Sequence, residues 1–514
     1  MSEQLRLADL LSGLSIVSDL GYGLPIETAL RSCLIGTVLA RRMDLPEREV
    51  ADVFYVSLLF HVGCVAYAHE TFQLFGDDQA VRRAAVETDL TDLRDIFATL
   101  IPGATRGLPP AARVRGAVRM AVTGRAFGKA HDQASCEVAR SVSRRIGLPD
   151  SVSDSLYDVH EWWNGAGARS LRGEEIARPA RIARVATETS ELLSLGVRDI
   201  VDALRHRARK TLDPAVVGHL ASASTAVIKL ATSGDPRVQV LDAEPAPVVQ
   251  IGQADLPRVA RAFGELADLK NPFTHGHATN VTGLSLATAE RLGLDRRACA
   301  CLEIAAYLHD VGRVGVSNRI WAKAGTLTTA EWEQVHLHPY HSERILASTA
   351  AFAPMARVAG MHHERIDGSG YHRGCRGKDI DIAARVLGCA DAFQAMTQRR
   401  PHRAALEPEQ ARDELLREAR AGRLDPEVVA AILDASHLTA TRRQHLRPGG
   451  LSDREIEVLR LVVEGCSNPE IGQRLGISRR TAEHHVQHIY NKIGVSTRAA
   501  AVLFAVEHDL LMSR

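Results

Sequence analysis

Hydrophobic residues recur at helical spacing, three or four positions apart, along most of the chain. This pattern predicts a series of amphipathic helices over residues 1–235 and again over residues 257–437. Between them, residues 236–256 are rich in Pro and Val and lack a helical period, which predicts a linker or short strands. A second break at residues 438–450 ends in Pro-Gly-Gly and precedes a last helical block, residues 451–514. Strand signals are scarce, so we expect an all-α fold in three domains.

Composition narrows the class of protein. The 514 residues carry a net charge of +1, so any contact with nucleic acid needs a local basic surface. The eight cysteines include no CxxC pair, which is typical of reduced thiols in a cytoplasmic protein. The N-terminal segment lacks the pattern of a signal peptide, and no run of 18 uninterrupted apolar residues occurs. We therefore expect a cytoplasmic protein that makes no membrane contact.

Histidine and aspartate residues are concentrated in the middle block. Imidazole and carboxylate groups without a thiolate favour iron, manganese or a similar divalent ion over a structural zinc. The adjacent His309 and Asp310, at the end of an apolar helix, can offer one ligand to each of two ions. Two ions about 3.5–4 Å apart are a standard arrangement for phosphoester hydrolysis. A single histidine is more often a hydrogen-bonded structural residue, so the prediction depends on the whole set.

The order and spacing of this set resemble the HD-GYP phosphodiesterases over about residues 257–437. The motifs that carry the resemblance are Gly276-His277, His309-Asp310, His338-Pro339, His362-His363-Glu364, Asp367 to Tyr371, and Asp391. Members of this family hydrolyse cyclic di-GMP at two or three metal ions. The resemblance implies a catalytic role for Asp310 and Arg313. It also implies seven metal ligands, which are His277, His309, Asp310, His338, His362, His363 and Asp391.

Three positions depart from the family pattern. Phe273 stands where members with a third metal carry Glu, so we expect two divalent ions, Fe or Mn. Arg313 replaces a lysine and can hold a phosphate through two N–H groups, but it cannot donate a proton. His372 replaces the proline of the GYP motif and removes a rigid turn residue.

These features leave three hypotheses open for the middle block. The intact ligands favour hydrolysis of cyclic di-GMP or of another phosphoester, since HD domains act on several. The three altered positions favour a catalytically idle domain that senses a nucleotide or a metal.

The first block resembles a degenerate copy of the middle block. Residues 53–64 parallel residues 301–313, residues 159–187 parallel residues 362–391, and LDPAVV at 212–217 parallels LDPEVV at 424–429. When His61 is paired with His309, the seven ligand positions hold Ala29, His61, Val62, Ser135, Val159, His160 and Thr187.

Two imidazoles without a carboxylate should not hold a two-metal centre. The interval from His61 to Ser135 is 74 residues against 29 in the middle block, which indicates an insertion of 45 residues. We expect a degenerate HD domain kept for packing, dimerisation or ligand sensing. The alternative is an unrelated helical domain with chance matches.

The last block has the pattern of a helix-turn-helix. Asn468-Pro469 begins one predicted helix, Gly476 forms the turn, and Ser478 caps a second helix that runs from about residue 479 to 492. In this geometry the second helix lies in the major groove of DNA. The block resembles the LuxR (NarL/FixJ) type over its whole length, at Leu451, Arg454-Glu455, Val458-Leu459, Gly465, Ile471, Leu475, Ser478, Thr481, His485, Lys492 and Arg498. The candidate DNA-contacting residues are Arg479, Arg480, Thr481, His484, His485 and Lys492.

Together the blocks predict two tandem HD-type helical domains followed by a four-helix LuxR-type domain. The leading hypothesis is a fusion of enzyme and regulator, in which occupancy of the metal site changes DNA binding. A transcription factor whose HD domain only senses its ligand is the alternative. The expected partners are double-stranded DNA, cyclic di-GMP or a related nucleotide, and a second copy of the chain, because paired half-sites double the phosphate contacts.

Overall fold

The computed structural model describes residues 5–106, 108–439 and 448–511, and the chain divides into two compact units after Gln253. Within these ranges the strands are Leu5–Arg6 and Gln250–Ile251, which pair antiparallel. The remaining regular elements are helical, which confirms the predicted all-α fold. Most of the predicted linker at 438–450 lies outside the described residues, and its last three residues form the 3-10 turn Pro448–Gly450.

The first unit is a helical domain with one long helix, α8. Its α-helices, in chain order, are α1 (Leu7–Tyr22), α2 (Thr28–Arg42), α3 (Glu47–Leu58), α4 (Ala68–Phe75), α5 (Asp78–Glu87), α6 (Leu93–Asp95), α7 (Ile101–Ala104), α8 (Pro110–Ile146), α9 (Asp150–Leu156), α10 (Arg178–Ser194), α11 (Ile200–Arg207), α12 (Pro214–Thr232) and α13 (Pro236–Ala243). The predicted insertion between His61 and Ser135 corresponds to α4 to α7 and the first part of α8.

Aspartate and proline residues explain where several of these helices begin. Asp213 accepts a hydrogen bond from the N–H of Ala215 and precedes Pro214 at the start of α12. Asp235 and Pro236 repeat this arrangement at the start of α13. The expectation of a linker or short strands over residues 236–256 is therefore wrong for Pro236–Ala243, because local capping outweighs the missing apolar period there.

Helix α12 is, within the described residues, the one helix long and apolar enough to cross a membrane by length and composition. Along one of its faces Val216, Val217, Leu220 and Val227 are buried in a core cluster that includes residues of α2 and α10. The apolar residues on that face pack inside the domain.

In its described residues, the second unit contains ten α-helices in its first part and the four helices predicted for the last block. The first ten are α14 (Leu256–Asp268), α15 (His277–Arg291), α16 (Arg296–Leu308), α17 (Asn318–Trp321), α18 (Thr329–His336), α19 (His338–Ala347), α20 (Ala353–Gly360), α21 (Ile382–Thr397), α22 (Pro408–Arg420) and α23 (Pro426–Thr439). The last four are α24 (Asp453–Val463), α25 (Asn468–Leu475), α26 (Arg479–Ile493) and α27 (Arg498–Glu507).

The two units contain the same buried contacts at matching places. In each, an aspartate accepts from a backbone N–H ten residues later, a glutamate accepts from two loop N–H groups, and an arginine pairs with the aspartate of the LDP motif. Asp19 accepts from Ala29 in the first unit, as Asp268 does from Ala278 in the second. Glu161 accepts from Arg169 and Leu171, as Glu364 does from Arg373 and Cys375. Arg181 pairs with Asp213, as Arg385 does with Asp425. They support the prediction that one HD-type scaffold occurs twice.

Each unit contains a glycine packed closely against a backbone carbonyl group, and this contact corrects the alignment of the two copies. A Cβ atom on Gly63 would lie 1.9 Å from the carbonyl oxygen of Ser135, and one on Gly312 would lie 2.2 Å from that of His338. The two glycines are therefore equivalent, as Ser135 and His338 are.

Three equivalences follow from the shared contacts. With Gly63 on Gly312, His61 takes the place of Asp310 and Cys64 takes the place of Arg313. The pairing of His61 with His309 is wrong by one residue. His61 precedes Gly63 by two residues, whereas His309 precedes Gly312 by three. Thr28, at the start of α2, likewise replaces Ala29 as the counterpart of His277 at the start of α15.

Two glycine substitutions in the second unit should have opposite effects on stability. A Cβ on Gly264 would lie 2.2 Å from the carbonyl oxygen of Tyr307, whereas one on the exposed Gly283 would meet nothing within 4 Å. Gly264→Ala should lower the free energy of unfolding by about 1–3 kcal/mol through overpacking. Gly283→Ala, inside α15, should raise it by about 0.5–1 kcal/mol. Thermal unfolding of the two variants beside the parent chain measures both, and equal shifts would contradict the close packing of α14 on α16.

Candidate metal centre and helix-turn-helix

Backbone carbonyl groups fix the ring orientation of three histidines. Each donates its Nδ1–H to the carbonyl oxygen three residues earlier: His309 to Ala306 at 2.7 Å, His338 to Val335 at 2.6 Å, and His362 to Ala359 at 2.6 Å. Because a carbonyl oxygen can only accept, Nδ1 carries the proton and the lone pair remains on Nε2. The buried Nε2 atom of His309 has no hydrogen-bond partner among the described residues. The lone pair of this Nε2 atom is therefore available to bind a metal ion.

His277 is oriented by a side chain that the motif did not indicate. Its Nδ1 lies 3.1 Å from Oε1 of Gln398, and its Nε2 lies 3.0 Å from Oδ1 of Asp391. The Gln398 oxygen can accept only from a protonated Nδ1, so the Nε2 lone pair of His277 also faces the centre.

The carboxylate of Asp310 lies between two sets of histidines. Its Oδ2 is 3.5 Å from Nε2 of His309 and 3.7 Å from Nε2 of His277. Its Oδ1 is 3.3 Å from Nε2 of His338 and 3.6 Å from Nε2 of His362. Two ligand atoms at about 2.1 Å from one ion are about 3–3.5 Å apart, so these spacings suit shared coordination on each side of the carboxylate.

All seven predicted ligands converge on this centre. Three overlapping groups hold ligand atoms that lie within 4.8 Å of one another: His338, His362 and His363; His277, His309 and Asp391; and His309, Asp310 and His362. The residues therefore fit one or more divalent ions.

The electrostatics set the protonation states that metal binding requires. Burial lowers the pKa of His309 to about 4, although the charge of Asp310 opposes the shift. Burial alone would raise the pKa of Asp310, but the charges of Arg313 and the neighbouring histidines hold that pKa well below its usual range. The pKa of Asp391 is likewise held well below its usual range against burial, by its contact with His277 and by the other nearby histidines. Neutral imidazoles and ionised carboxylates are the forms that bind a metal.

Arg313 directly contacts the central carboxylate. Its Nη1 donates to Oδ2 of Asp310 at 2.8 Å, and its guanidinium carbon lies 4.1 Å from the ring centroid of Trp321. The stacked ring and the ion pair hold the guanidinium at the edge of the centre, where it can contact an anionic group.

Two further residues near the centre carry no motif signal. The Nη2 of Arg400 donates to Oε1 of Gln398 at 3.4 Å, and its Nη1 donates to the carbonyl oxygen of Phe273 at 3.4 Å. Burial and the charge of Arg313 lower the pKa of Arg400 to about 10. Both residues follow α21 directly, so only the fold brings them to the centre.

The substituted GYP segment lies beside the ligands. The ring centroid of Tyr371 is 4.7 Å from that of His363, whereas the imidazole of His372 lies near Tyr340 and Glu343. The tyrosine therefore packs on a predicted ligand, and the residue in the proline position packs on side chains of α19.

The predicted helix-turn-helix forms with the expected local geometry. Gly476 has a φ of 66° at the end of α25, and the Ser478 hydroxyl caps α26 by accepting from the N–H of Thr481. Four of the six candidate DNA-contacting residues are exposed in the first two turns of α26, namely Arg479, Arg480, Thr481 and His484. His485 is half-buried, and the exposed Lys492 donates to Oε2 of Glu455 at 2.7 Å.

The segment that leads to His277 also contacts the helix-turn-helix part of the second unit. The Nδ1–H of His275 donates to the carbonyl oxygen of Val463 at 2.7 Å. A Cβ on Gly465 would lie 2.8 Å from Cβ of Pro272. These contacts use the end of α24 and leave the exposed face of α26 uncovered.

Comparison with known proteins identifies a family for each of the two parts of the second unit. Residues 261–428 match the family model described as HD domain, and residues 450–505 match that of the bacterial regulatory proteins of the luxR family. A 3'3'-cGAMP-specific phosphodiesterase of Vibrio cholerae is 29% identical over 439 residues, which cover 84% of this chain and 95% of the relative. A cyclic di-GMP phosphodiesterase of Thermotoga maritima is 38% identical over 178 residues, covering 34% of this chain and 48% of the relative.

A solved structure extends the similarity beyond the middle block. The crystal structure of a cyclic GMP-AMP specific phosphodiesterase of V. cholerae matches with a TM-score of 0.58 at 25% identity, over 85% of this chain and 99% of that chain. The chain thus combines an HD domain with a LuxR-family domain and is homologous, over most of its length, to the HD-GYP cyclic phosphodiesterases.

Proposed function

We propose that this chain hydrolyses a cyclic dinucleotide at a metal centre and couples occupancy of that centre to DNA binding. The observation that carries the proposal is the position of the Asp310 carboxylate, with one oxygen toward each set of histidines. A carboxylate in this position would hold divalent ions beside the histidines, and such ions supply the Lewis acidity that phosphoester hydrolysis uses. The names of the relatives supply the substrate class, a cyclic dinucleotide such as cyclic di-GMP or cGAMP.

The chemistry divides between the ions and the side chains. Bound divalent ions, Fe or Mn, supply Lewis acidity to a phosphate group and to water. Asp310 and the histidines would hold them, and Arg313 would orient a phosphate oxygen from the edge of the centre. Two ions are favoured over three, because Phe273 offers no carboxylate and the cationic Arg400 lies against its backbone.

A sensor without turnover is the second candidate, and one contact favours it. The Arg313 guanidinium donates to the Asp310 oxygen that faces His309 and His277, so it competes with an ion for that oxygen. A domain in which Arg313 keeps this position would bind nucleotide without hydrolysing it.

Replacement of the central carboxylate tests the proposal. Asp310→Asn removes the charge that both sets of histidines share, so hydrolysis of cyclic di-GMP and 3'3'-cGAMP in Mn(II) or Fe(II) should disappear and bound metal should fall. The matched control is Asp367→Asn, an exposed carboxylate that accepts hydrogen bonds from the nearby Ser369. Product formation by chromatography and metal content by mass spectrometry give the readouts. Full metal content without hydrolysis in the parent chain would favour the sensor.

Loss of the Gln398 acceptor should weaken metal binding without removing a ligand. Gln398→Ala frees the ring of His277 to rotate, and second-shell losses of this kind cost about 10–100-fold in metal affinity. Competition with a chelator measures the affinity. An unchanged affinity would mean that His277 does not depend on Gln398 for its orientation.

The second half of the proposal concerns double-stranded DNA. The exposed arginines at the start of α26 suit a groove-facing helix, and a homodimer on paired half-sites would double their contacts. The chain would then act in the cytoplasm, where its DNA lies. The segment from Pro272 to His277 supports coupling, because it contacts α24 and ends in a metal ligand.

The coupling should depend on the bond between His275 and Val463. We expect Mn(II) with a non-hydrolysable cyclic dinucleotide to change the DNA affinity of the parent chain, and His275→Ala to reduce that change while retaining metal. Fluorescence anisotropy with a labelled duplex measures both. Arg480→Ala serves as the control for DNA contact and should lower affinity by about 1–3 kcal/mol. The same ligand response in His275→Ala as in the parent would rule out this path.

A further inference from the structure

The first unit has a thiol in the place of the phosphate-holding arginine. Cys64 is the counterpart of Arg313, and its Sγ lies 3.7 Å from Nδ1 of His61 and 3.7 Å from Nε2 of His160. The Cys64 side chain is buried, with 1% of the residue exposed. The sulfur therefore lies between two imidazoles rather than among apolar side chains.

A carboxylate completes the arrangement around the first imidazole. Nε2 of His61 lies 3.0 Å from Oε1 of Glu191, on the opposite side of the ring from Cys64. The ring is also stacked on Tyr22, at 4.3 Å between centroids. A thiol, an imidazole that contacts it and a carboxylate that orients the imidazole are the elements of an activated nucleophile.

The local charges keep the proton on the imidazole. The pKa of His61 is raised to about 10: burial opposes the shift, and the hydrogen bonds with Cys64 and Glu191 outweigh it. Burial alone would raise the pKa of the Cys64 thiol, but His160 and His61 hold it well below its usual value. The other titratable or charged groups around this cluster, on the helices packed against it, include Asp19, Tyr22, Arg82, His131, Asp132 and Cys136.

We propose that Cys64 is a reactive thiolate that reduces hydrogen peroxide or another small hydroperoxide. The thiolate attacks one peroxide oxygen, so that an S–O bond forms as the O–O bond breaks. The electron pair leaves on the other oxygen, which takes the proton of the His61 imidazolium and departs as water from hydrogen peroxide, or as an alcohol from an organic hydroperoxide. Sulfur is oxidised to the sulfenic acid, and the peroxide is reduced.

Burial defines the size of the oxidant. A thiol with 1% exposure excludes large reagents, and the half-buried His160 marks the side on which the cluster approaches solvent. The site therefore selects an electrophile close to water in size. This reaction is independent of the metal centre and of the proposed phosphodiesterase activity.

The test compares cysteines within one native protein. The full chain is exposed to hydrogen peroxide, denatured at intervals and analysed by peptide mass spectrometry, with sulfenic acid trapped by dimedone. Cys33 is the internal control, since it is also buried in the first unit but its Sγ donates to the carbonyl oxygen of Phe54, and burial raises the pKa of its thiol. We expect Cys64 to react at least tenfold faster than Cys33. Equal protection of the two would overturn the proposal.

The pH profile separates a thiolate from an ordinary thiol. Between pH 8 and pH 6 the reaction rate of Cys64 should change less than threefold, whereas an unperturbed thiol, with a pKa of about 8.5, slows about tenfold per unit. A maleimide is much larger than a peroxide, so in the native protein it should label the less buried Cys375 before Cys64. A tenfold loss per pH unit at Cys64 would also overturn the proposal.

Glu191 acts as a positioning residue, and Glu191→Gln tests that role. The amide keeps the volume but removes the charge that holds the proton on His61, so the rate at pH 6 should fall more than tenfold relative to pH 8. Cys64→Ser should abolish peroxide consumption and leave the metal content of the second unit unchanged. A flat profile in Glu191→Gln would show that Glu191 does not position the imidazole, and retained consumption in Cys64→Ser would place the reaction elsewhere.

Discussion

The hydrogen bond from each Nδ1–H to a backbone carbonyl is the interaction on which the metal centre depends. An imidazole can rotate and can carry its proton on either nitrogen, so a histidine in a motif is not yet a ligand. In His309, His338 and His362 the preceding turn accepts the Nδ1 proton, and the lone pair on Nε2 then has a fixed direction. The helix end that carries each histidine therefore also selects its tautomer. The Nε2 atoms of all three histidines face the carboxylate of Asp310.

The two units show how one scaffold can retain its packing while its chemistry changes. The aspartate at the end of α1 or α14, the buried glutamate of the loop and the arginine–aspartate pair are present in both. Each of these groups bonds to backbone N–H groups or to its paired side chain. The positions that converge in the middle have changed freely, from Asp310 and Arg313 in the second unit to His61 and Cys64 in the first.

Much of the fold and most of the metal site could be predicted from the sequence. The seven predicted ligands, which the structure brings together, lie in motifs whose spacing carries over from the family. The caps of the helix-turn-helix are local. The register of the repeat could not be predicted, because the sequence comparison paired His61 with His309. His61 lies two residues before Gly63, whereas His309 lies three residues before Gly312. The glycine contacts resolve this difference, since they report backbone proximity rather than residue type. Gln398 and Arg400 were missed for a similar reason, because an amide and a guanidinium after a helix carry no pattern until the fold brings them together.

The contact between His275 and Val463 has a thermodynamic consequence that runs in both directions. If a filled metal centre changes the affinity for a promoter by some factor, binding to that promoter must change the affinity for metal and nucleotide by the same factor. DNA would then act as an effector of the proposed phosphodiesterase activity. Copies bound at a promoter and copies free in the cell would hold their ligands with different strength, and the number of binding sites on the chromosome would set how much of the protein is loaded.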